Sequence, residues 1–203
     1  MQKILESLIY TPSVAGVETK MALLLQSLIG ECFDETYYDN ANNLVFHKQG
    51  KGEKIMLCTC LDTPGIIVTG VEEQKVHIAP LGSLEPTSSN QRTVRFENGA
   101  IGLLHCEKVT CDTKLCDFTV ELFDKSKTVE VGEKGVFDAD FVSLSKSVFA
   151  GFGLADKACV LSLIEVAKSM SGSDKDIYFV FCSQTSLGYR SSAPASNTVK
   201  PDV

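Results

Sequence analysis

Ile55-Met56-Leu57-Cys58-Thr59-Cys60 is a short apolar run that reaches Asp62-Thr63-Pro64-Gly65 after one further residue. A continuous run of this length, bounded by turn residues, is the pattern of a strand buried on both faces. Pro64 and Gly65 force a sharp turn behind it. A second run of the same kind, Ile177-Tyr178-Phe179-Val180-Phe181-Cys182, follows Asp174-Lys175-Asp176. Between the two, the stretch from Leu154 to Met170 places Val160, Leu161, Leu163, Ile164 and Ala167 on one broad helical face. Strand, helix and strand in this order, with both strands buried, define an α/β fold.

Upstream, Ile4, Leu5, Leu8 and Ile9 mark a short amphipathic helix that Thr11-Pro12-Ser13 breaks. Val17, Met21, Leu24, Leu25 and Leu28 carry a second helix between Gly16 and Ile29, with Gly30 as its C-cap. Residues 35–38 and 44–47 read as strands joined by the turn Asp39-Asn40-Ala41-Asn42-Asn43. Composition changes after Gly65: residues 66–148 offer only short β-rich pieces punctuated by Gly and Asn, with no helix-length pattern. The chain therefore divides into a discontinuous α/β domain, 1–65 with 149–203, and an all-β insert, 66–148. Gly151-Phe152-Gly153 lacks the Lys-Ser/Thr ending of a P-loop and the third Gly of a dinucleotide fingerprint, so it reads as a helix entry. The polar tail from Ser191 to Thr198 contains weak helix formers and reads as a loop.

Composition narrows the function. Of the 203 residues, 44% are apolar and 22% charged, which excludes a disordered tail or a collagen-like fibre. Nineteen Lys and Arg against 26 Asp and Glu give a net charge of −7 with no basic run, so neither nucleic acid nor an anionic membrane surface is expected as a partner. No apolar stretch approaches the ~18 residues of a membrane span. Glu6 interrupts the apolar start that a signal peptide needs. A cytoplasmic location is expected, and with it reduced thiols at all eight cysteines.

The order of these pieces resembles the glutamyl-aminopeptidase and endoglucanase-like family of dinuclear metallo-aminopeptidases, which includes the tetrahedral aminopeptidases. Thr11-Pro12-Ser13-Val14-Ala15-Gly16-Val17-Glu18 looks like the family's opening Pro-x-x-Ser-Gly-x-Glu signature. Asp39 through Leu44 is similar to its Asp-x-x-Gly-Asn-Leu turn, with Asn42 where Gly is usual; Asn tolerates the left-handed conformation. Lys54-Ile55-Met56-Leu57 and Gly65-Ile66-Ile67-Val68 flank the position of the first metal motif, and residues 175–181 look like the strand leading to the catalytic glutamates. The resemblance implies a mixed sheet flanked by helices, interrupted by a small barrel-like insert that pairs subunits.

The resemblance also implies two divalent ions, such as zinc or cobalt, and a Glu general base acting on metal-bound water. The family's Ala-His-Met-Asp-Glu aligns with Thr59-Cys60-Leu61-Asp62-Thr63, so Cys60 stands at the ligand histidine while the supporting Asp62 is kept. Lys-Ala-x-Asp-Asp-Arg aligns with Phe152-Gly153-Leu154-Ala155-Asp156-Lys157. Ala155 then holds the bridging position, and a slip of one residue, which the following helix disfavours, would offer Asp156 instead. Gln-Glu-Glu-x-Gly-x-x-Gly aligns with residues 184–191: Thr185 falls at the general base and Ser186 at the next ligand, and neither hydroxyl acts as a carboxylate at neutral pH. The last family ligands lie beyond the signature Lys200-Pro201-Asp202-Val203, where this chain stops.

The expected reading is a truncated, non-catalytic relative with no metal cofactor. It would act through self-association or as a binding or regulatory subunit of a full-length relative. The alternative is a metallo-aminopeptidase whose missing half another chain supplies. Two minor constellations stand beside these. His105, Cys106, Cys111 and Cys116 could hold a structural zinc, although four residues separate successive cysteines and free thiols are the plainer state. Cys58, Cys60 and Cys182 are expected close together, but a thiol nucleophile needs a basic partner, and none of His47, His77 and His105 is expected near them.

Overall fold

Leu5, Leu8 and Ile9 come back to one side every three or four residues, and they are the buried face of α1 (Gln2–Tyr10). That helix stops at Thr11, which is extended ahead of Pro12. α2 (Thr19–Ile29) buries Met21, Ala22, Leu25 and Ile29. The chain then lays down β1 (Glu35–Tyr38), β2 (Leu44–Lys48) and β3 (Lys54–Cys60). This is a computed structural model, and it describes all residues except Gln74, Ala139, Ser171 and Tyr189.

After β3 the chain forms β4 (Gly65–Glu72), β5 (Lys75–Leu81), the single turn α3 (Pro86–Ser89), β6 (Thr93–Phe96), β7 (Ile101–His105), β8 (Thr119–Leu122) and β9 (Lys134–Phe137). It continues with β10 (Val142–Ser143), β11 (Phe149–Ala150), α4 (Leu154–Ser169), β12 (Asp176–Cys182) and α5 (Ser192–Val199). Two units result: Met1–Thr63 with Phe141–Val203, and Pro64–Asp140. The short hairpin of β10 and β11 belongs to the first unit, so residues 141–148 leave the insert outlined from composition. Those eight residues are as β-rich as the insert itself, and composition carries no mark of the crossing.

In the first unit the sheet order is β1-β2-β12-β3, with β12 antiparallel to β2 and parallel to β3. Phe46 faces Phe179 across the β2–β12 ladder, and both are fully buried. They meet Leu8 of α1, Met21 and Leu25 of α2, and Val160 and Ile164 of α4 in one apolar cluster. Each buried Phe contributes about 2–3 kcal/mol, which makes this face the main source of the unit's stability. The alternate residues Val45, Val180 and Cys182 point to the other side, where Ala195 of α5 covers them.

That contact explains why Ser192–Val199 is a helix and not the loop expected from its composition. Pro194 lies in the first turn, where its missing N–H costs nothing. Burial of Ala195 and Val199 then outweighs the weak propensity of the Ser, Asn and Thr around them. β12 has a strand on each side, as a strand read as buried on both faces requires, and the end strand is β3. On the outer side of β3 lie the last residues of the chain, where Met56 N–H donates to Val203 O at 2.9 Å and Asp202 N–H to Lys54 O at 2.8 Å.

The second unit is a closed barrel, β4-β5-β8-β7-β6-β9, with β9 returning to β4 at Ile66↔Gly135. Closure leaves no strand edge in it. Val68, Val76, Ile78, Val94, Leu104, Phe118 and Val120 are almost wholly buried. Gly102 is required by its neighbours, since a Cβ there would sit 2.5 Å from Val120 Cγ1 and 2.6 Å from the Glu121 carbonyl oxygen.

Candidate functional site

β3 and β12 run parallel with Cys60 opposite Cys182 and Cys58 opposite Val180, and both strands deliver their following residues to the same end of the sheet. After β3, Leu61 N–H donates to Cys182 O at 2.8 Å, and Thr63 N–H donates to Ser13 O at 2.7 Å. These bonds fix Asp62 between the opening loop and the end of β12. After β12, Gln184 takes a left-handed conformation (φ 52°) and its N–H donates to Glu18 Oε1 at 3.0 Å. The turn of 3-10 helix that follows, Thr185–Leu187, aims its first two N–H groups at Asp62.

Asp62 is 1% exposed and accepts three hydrogen bonds: from Thr185 N–H at 2.7 Å, from the Thr185 hydroxyl at 2.5 Å and from Ser186 N–H at 2.9 Å. Charge-assisted bonds of this kind are about twice as strong as neutral ones. The Thr185 hydroxyl is thus committed as a donor to the Asp62 carboxylate.

α4 enters the site through Gly153, which is left-handed (φ 66°) and lies so close to Thr63 that a Cβ would be 2.7 Å from its Cγ2. Gly153 is a steric hinge for helix entry and not a phosphate cradle. Ala155 is exposed and Asp156 half-buried, while Lys157 turns inward and is 2% exposed. The Lys157 ammonium donates to Ser13 Oγ at 2.7 Å and to Leu61 O at 3.3 Å. Burial draws it down from 10.5 to about 8, against the nearby charges of Asp156, Asp62, Cys60 and Glu18, which favour protonation. Burial likewise raises Asp156, although Lys157 opposes the shift.

Burial also raises the Cys60 thiol, and Asp156, Asp62 and Cys159 add to the rise. Cys182 is pushed from 9.0 up to about 12 by burial, with Cys58 and Cys60 as further contributors. Both are held as neutral thiols at neutral pH.

Lys157, Ser13 and Glu18 are the site residues that sequence reasoning missed. The signal for Lys157 was present: it continues the buried stripe Val160, Ile164 and Ala167 of α4 by one step toward the N-terminus. Tyr189 of the third motif lies outside the described residues. His47 is bonded to Asp176 at 2.7 Å and stacked on Tyr178, at the start of β12 and away from Thr185. The proposed zinc ligands do not assemble. Cys111 and Cys116 are exposed free thiols, Cys106 Sγ is bonded to Lys108 O, and among the described residues no three His, Cys, Asp or Glu side chains form a metal-binding group. The loop between β7 and β8 spreads these side chains over successive turns instead of folding them around one point.

The fold is a four-stranded α/β unit that a closed antiparallel barrel interrupts, with polar segments paired at the ends of two parallel strands. The family model for the M42 glutamyl aminopeptidases matches residues 42–203, and the chain belongs to that family. It is 26% identical to the lysyl aminopeptidase of Pyrococcus furiosus, with all of this chain and 63% of that protein aligned. Among solved structures, an aminopeptidase of the archaeon Desulfurococcus kamchatkensis superposes with a TM-score of 0.90 at 19% identity, over 99% of this chain and 60% of that one. The TET1 peptidase of Pyrococcus horikoshii, described as assembling into a tetrahedron or a large octahedral shell, gives 0.86 at 21% identity over 98% and 66%. The chain therefore spans a little under two thirds of the length of these relatives.

Proposed function

We propose that this chain is a non-catalytic member of the M42 family that acts by self-association or as a binding or regulatory subunit. The observation that carries the reading is the engagement of Asp62 by Thr185 and Ser186, the residues aligned with the general base and its neighbouring ligand. The donor set does not fit a pair of divalent ions. Ala155 offers no donor atom, Cys60 is held as a neutral thiol, and the Thr185 hydroxyl already serves Asp62. A divalent site draws on about three or four protein ligands. The shells described for the TET1 peptidase support association as the remaining role. Incubating the pure chain with zinc, cobalt or manganese and short peptides tests the reading: no release of N-terminal residues is expected, and light scattering after size exclusion should find an assembly larger than one copy. Metal-dependent turnover that disappears in a Cys60→Ser chain refutes the first half, and a monomer at micromolar concentration refutes the second.

One observation favours a second reading, a metallo-aminopeptidase whose missing half another chain supplies. Backbone bonds join Asp202 and Val203 to Lys54 and Met56 on the outer side of β3, the side on which an added strand would pair. Turnover recovered on adding the remaining third of a relative as a separate chain supports this reading and removes the first.

A further inference from the structure

Cys58, Cys60 and Cys182, which the sequence suggests lie close together, share one face of the sheet. Val180 and Cys182 of β12 lie under Ala195 of α5, and Met56 of β3 packs against the same cluster. Alternation along β3 carries Cys58 and Cys60 to the side of Met56. The parallel register sets Cys58 beside Val180 and Cys60 directly beside Cys182. Neighbouring strands lie about 4.8 Å apart, and a disulfide joins Cα atoms about 4.4–6.8 Å apart, so Cys60 and Cys182 are within bridging reach. Cys58 is not. One strand spacing and two residues of rise put it about 8 Å from Cys182. It stands beside Cys60 on one strand at about 6.6 Å, whereas bridged Cβ atoms are about 3.8 Å apart. The register thus selects one pair from the three thiols.

We infer that Cys60 and Cys182 form a site of reversible thiol modification, which closes to a disulfide with a low-molecular-weight disulfide as co-reactant. Cys60 is half-buried and Cys182 is 2% exposed, so the reagent reaches Cys60 first. The Cys60 thiol gives its proton to solvent, its sulfur attacks one sulfur of the reagent, and the reagent's S–S bond breaks to release a thiolate. Cys182 Sγ then attacks Cys60 Sγ, the mixed disulfide breaks, and the Cys182 proton leaves with the second reagent sulfur. Two protein thiols are oxidised and one reagent disulfide is reduced to two thiols. The reagent never meets Cys182 itself, so the sheet need not open. Before the reaction Cys182 Sγ makes a 4.0 Å contact with Val180 O, a weak bond whose loss costs little. The new bond lies at the point where Leu61 N–H donates to Cys182 O, one residue ahead of Leu61 on β3. It therefore clamps together the two strand ends from which Asp62 and Thr185 emerge, whether or not the chain cleaves peptides.

Incubating the folded chain with oxidised glutathione at mildly alkaline pH, where thiolates form, tests the inference. The reaction is stopped with acid, free thiols are alkylated in denaturant, and tryptic peptides are mapped by mass spectrometry. The expected product is a pair of peptides that fragmentation shows to be joined through Cys60 and Cys182, and that dithiothreitol separates. Cys58→Ser should keep this link, and Cys182→Ser should stop at a glutathione adduct on Cys60. The linked wild-type chain should unfold at a higher urea concentration than the reduced one, since the bond closes a long loop of the unfolded chain. A link through Cys58 or Cys159, a glutathione adduct that persists on Cys60 of the wild-type chain, or a Cys60 that stays free overturns the inference. A linked chain with an unchanged or lower midpoint overturns the clamp.

Discussion

Removing the Asp62 carboxylate should cost more stability than any other single polar substitution in the first unit. Asp62→Ala abolishes three hydrogen bonds and strands the Thr185 and Ser186 N–H groups in a place that is 1% exposed at Asp62 and 5% exposed at Thr185. A bond to a charged group contributes about 1.5–3 kcal/mol, and a stranded buried donor costs about 1–3 kcal/mol. These terms overlap, and the methyl group leaves room for some relaxation, so a loss of about 3–5 kcal/mol is expected. The buried Lys157 ammonium, which the Asp62 charge favours, adds to the loss. Asp62→Asn is the informative companion. It keeps one acceptor oxygen for Thr185 but turns an amide donor toward Ser186 N–H, so about 2 kcal/mol is expected. Urea unfolding followed by far-UV circular dichroism measures both, since the chain has no Trp. The midpoints should fall in the order wild type, Asn, Ala with an unchanged slope. An Asp62→Ala chain within about 1 kcal/mol of wild type would refute the idea that this carboxylate organises the site.

Lys157 should leave a signature in the pH dependence of stability. Its folded value of about 8 lies below the ordinary 10.5, so the unfolded chain binds more protons between these limits. Stability should therefore rise with pH through that window, by up to about 3 kcal/mol from this group. Cys182, with a folded value of about 12 against 9.0, acts in the opposite sense above pH 9, so urea midpoints are best compared below it. Lys157→Met should flatten the rise, and an equal slope in both chains counts against the assignment. Among the thiols, the exposed Cys58, Cys111, Cys116 and Cys159 should react with a disulfide reagent at once, while Cys182 waits for unfolding; early labelling of Cys182 on tryptic mapping contradicts its burial. In the barrel, Gly102→Ala should cost about 1–3 kcal/mol through overpacking against Val120, and a neutral effect in thermal unfolding would show that β7 can shift.

The buried strand at 177–182, the helix before it and the barrel-like insert were legible. Residues 55–60, read as buried on both faces, are a strand but the half-buried end strand of their sheet with Cys58 exposed, because an apolar run does not record a strand's place in the sheet. Asn42 is an instance at single-residue scale: its place in the Asp39 turn suggests a left-handed residue, and its φ is 60°. The tail around Ser192 was misread because its helix depends on Val45, Val180 and Cys182 lying beneath Ala195, which local composition does not record. The site divides along the same line. The resemblance drew attention to Cys60, Asp62, Ala155 and Thr185, but the inward turn of Lys157 and the acceptor role of Ser13 depend on segments 144 positions apart. His105 and its neighbouring cysteines show that closeness in sequence does not by itself bring side chains to one point: among the described residues no such metal-binding group forms.

The insertion of the barrel between β3 and β12 has a consequence for how the chain is made. β3 emerges from the ribosome long before β12, its full-length partner among the described residues, so its apolar side chains must wait for more than a hundred residues of synthesis. During that interval the barrel can close on its own, because its ladders join strands that all lie within Pro64–Asp140. Once closed, it holds its two ends at β4 and β9, adjacent strands of one ladder, and so replaces a long floppy loop with a short rigid one. The entropy of bringing β12 back to β3 is thereby reduced before β12 exists. In this sense the insert works as a folding clip for the pairing of β3 with β12.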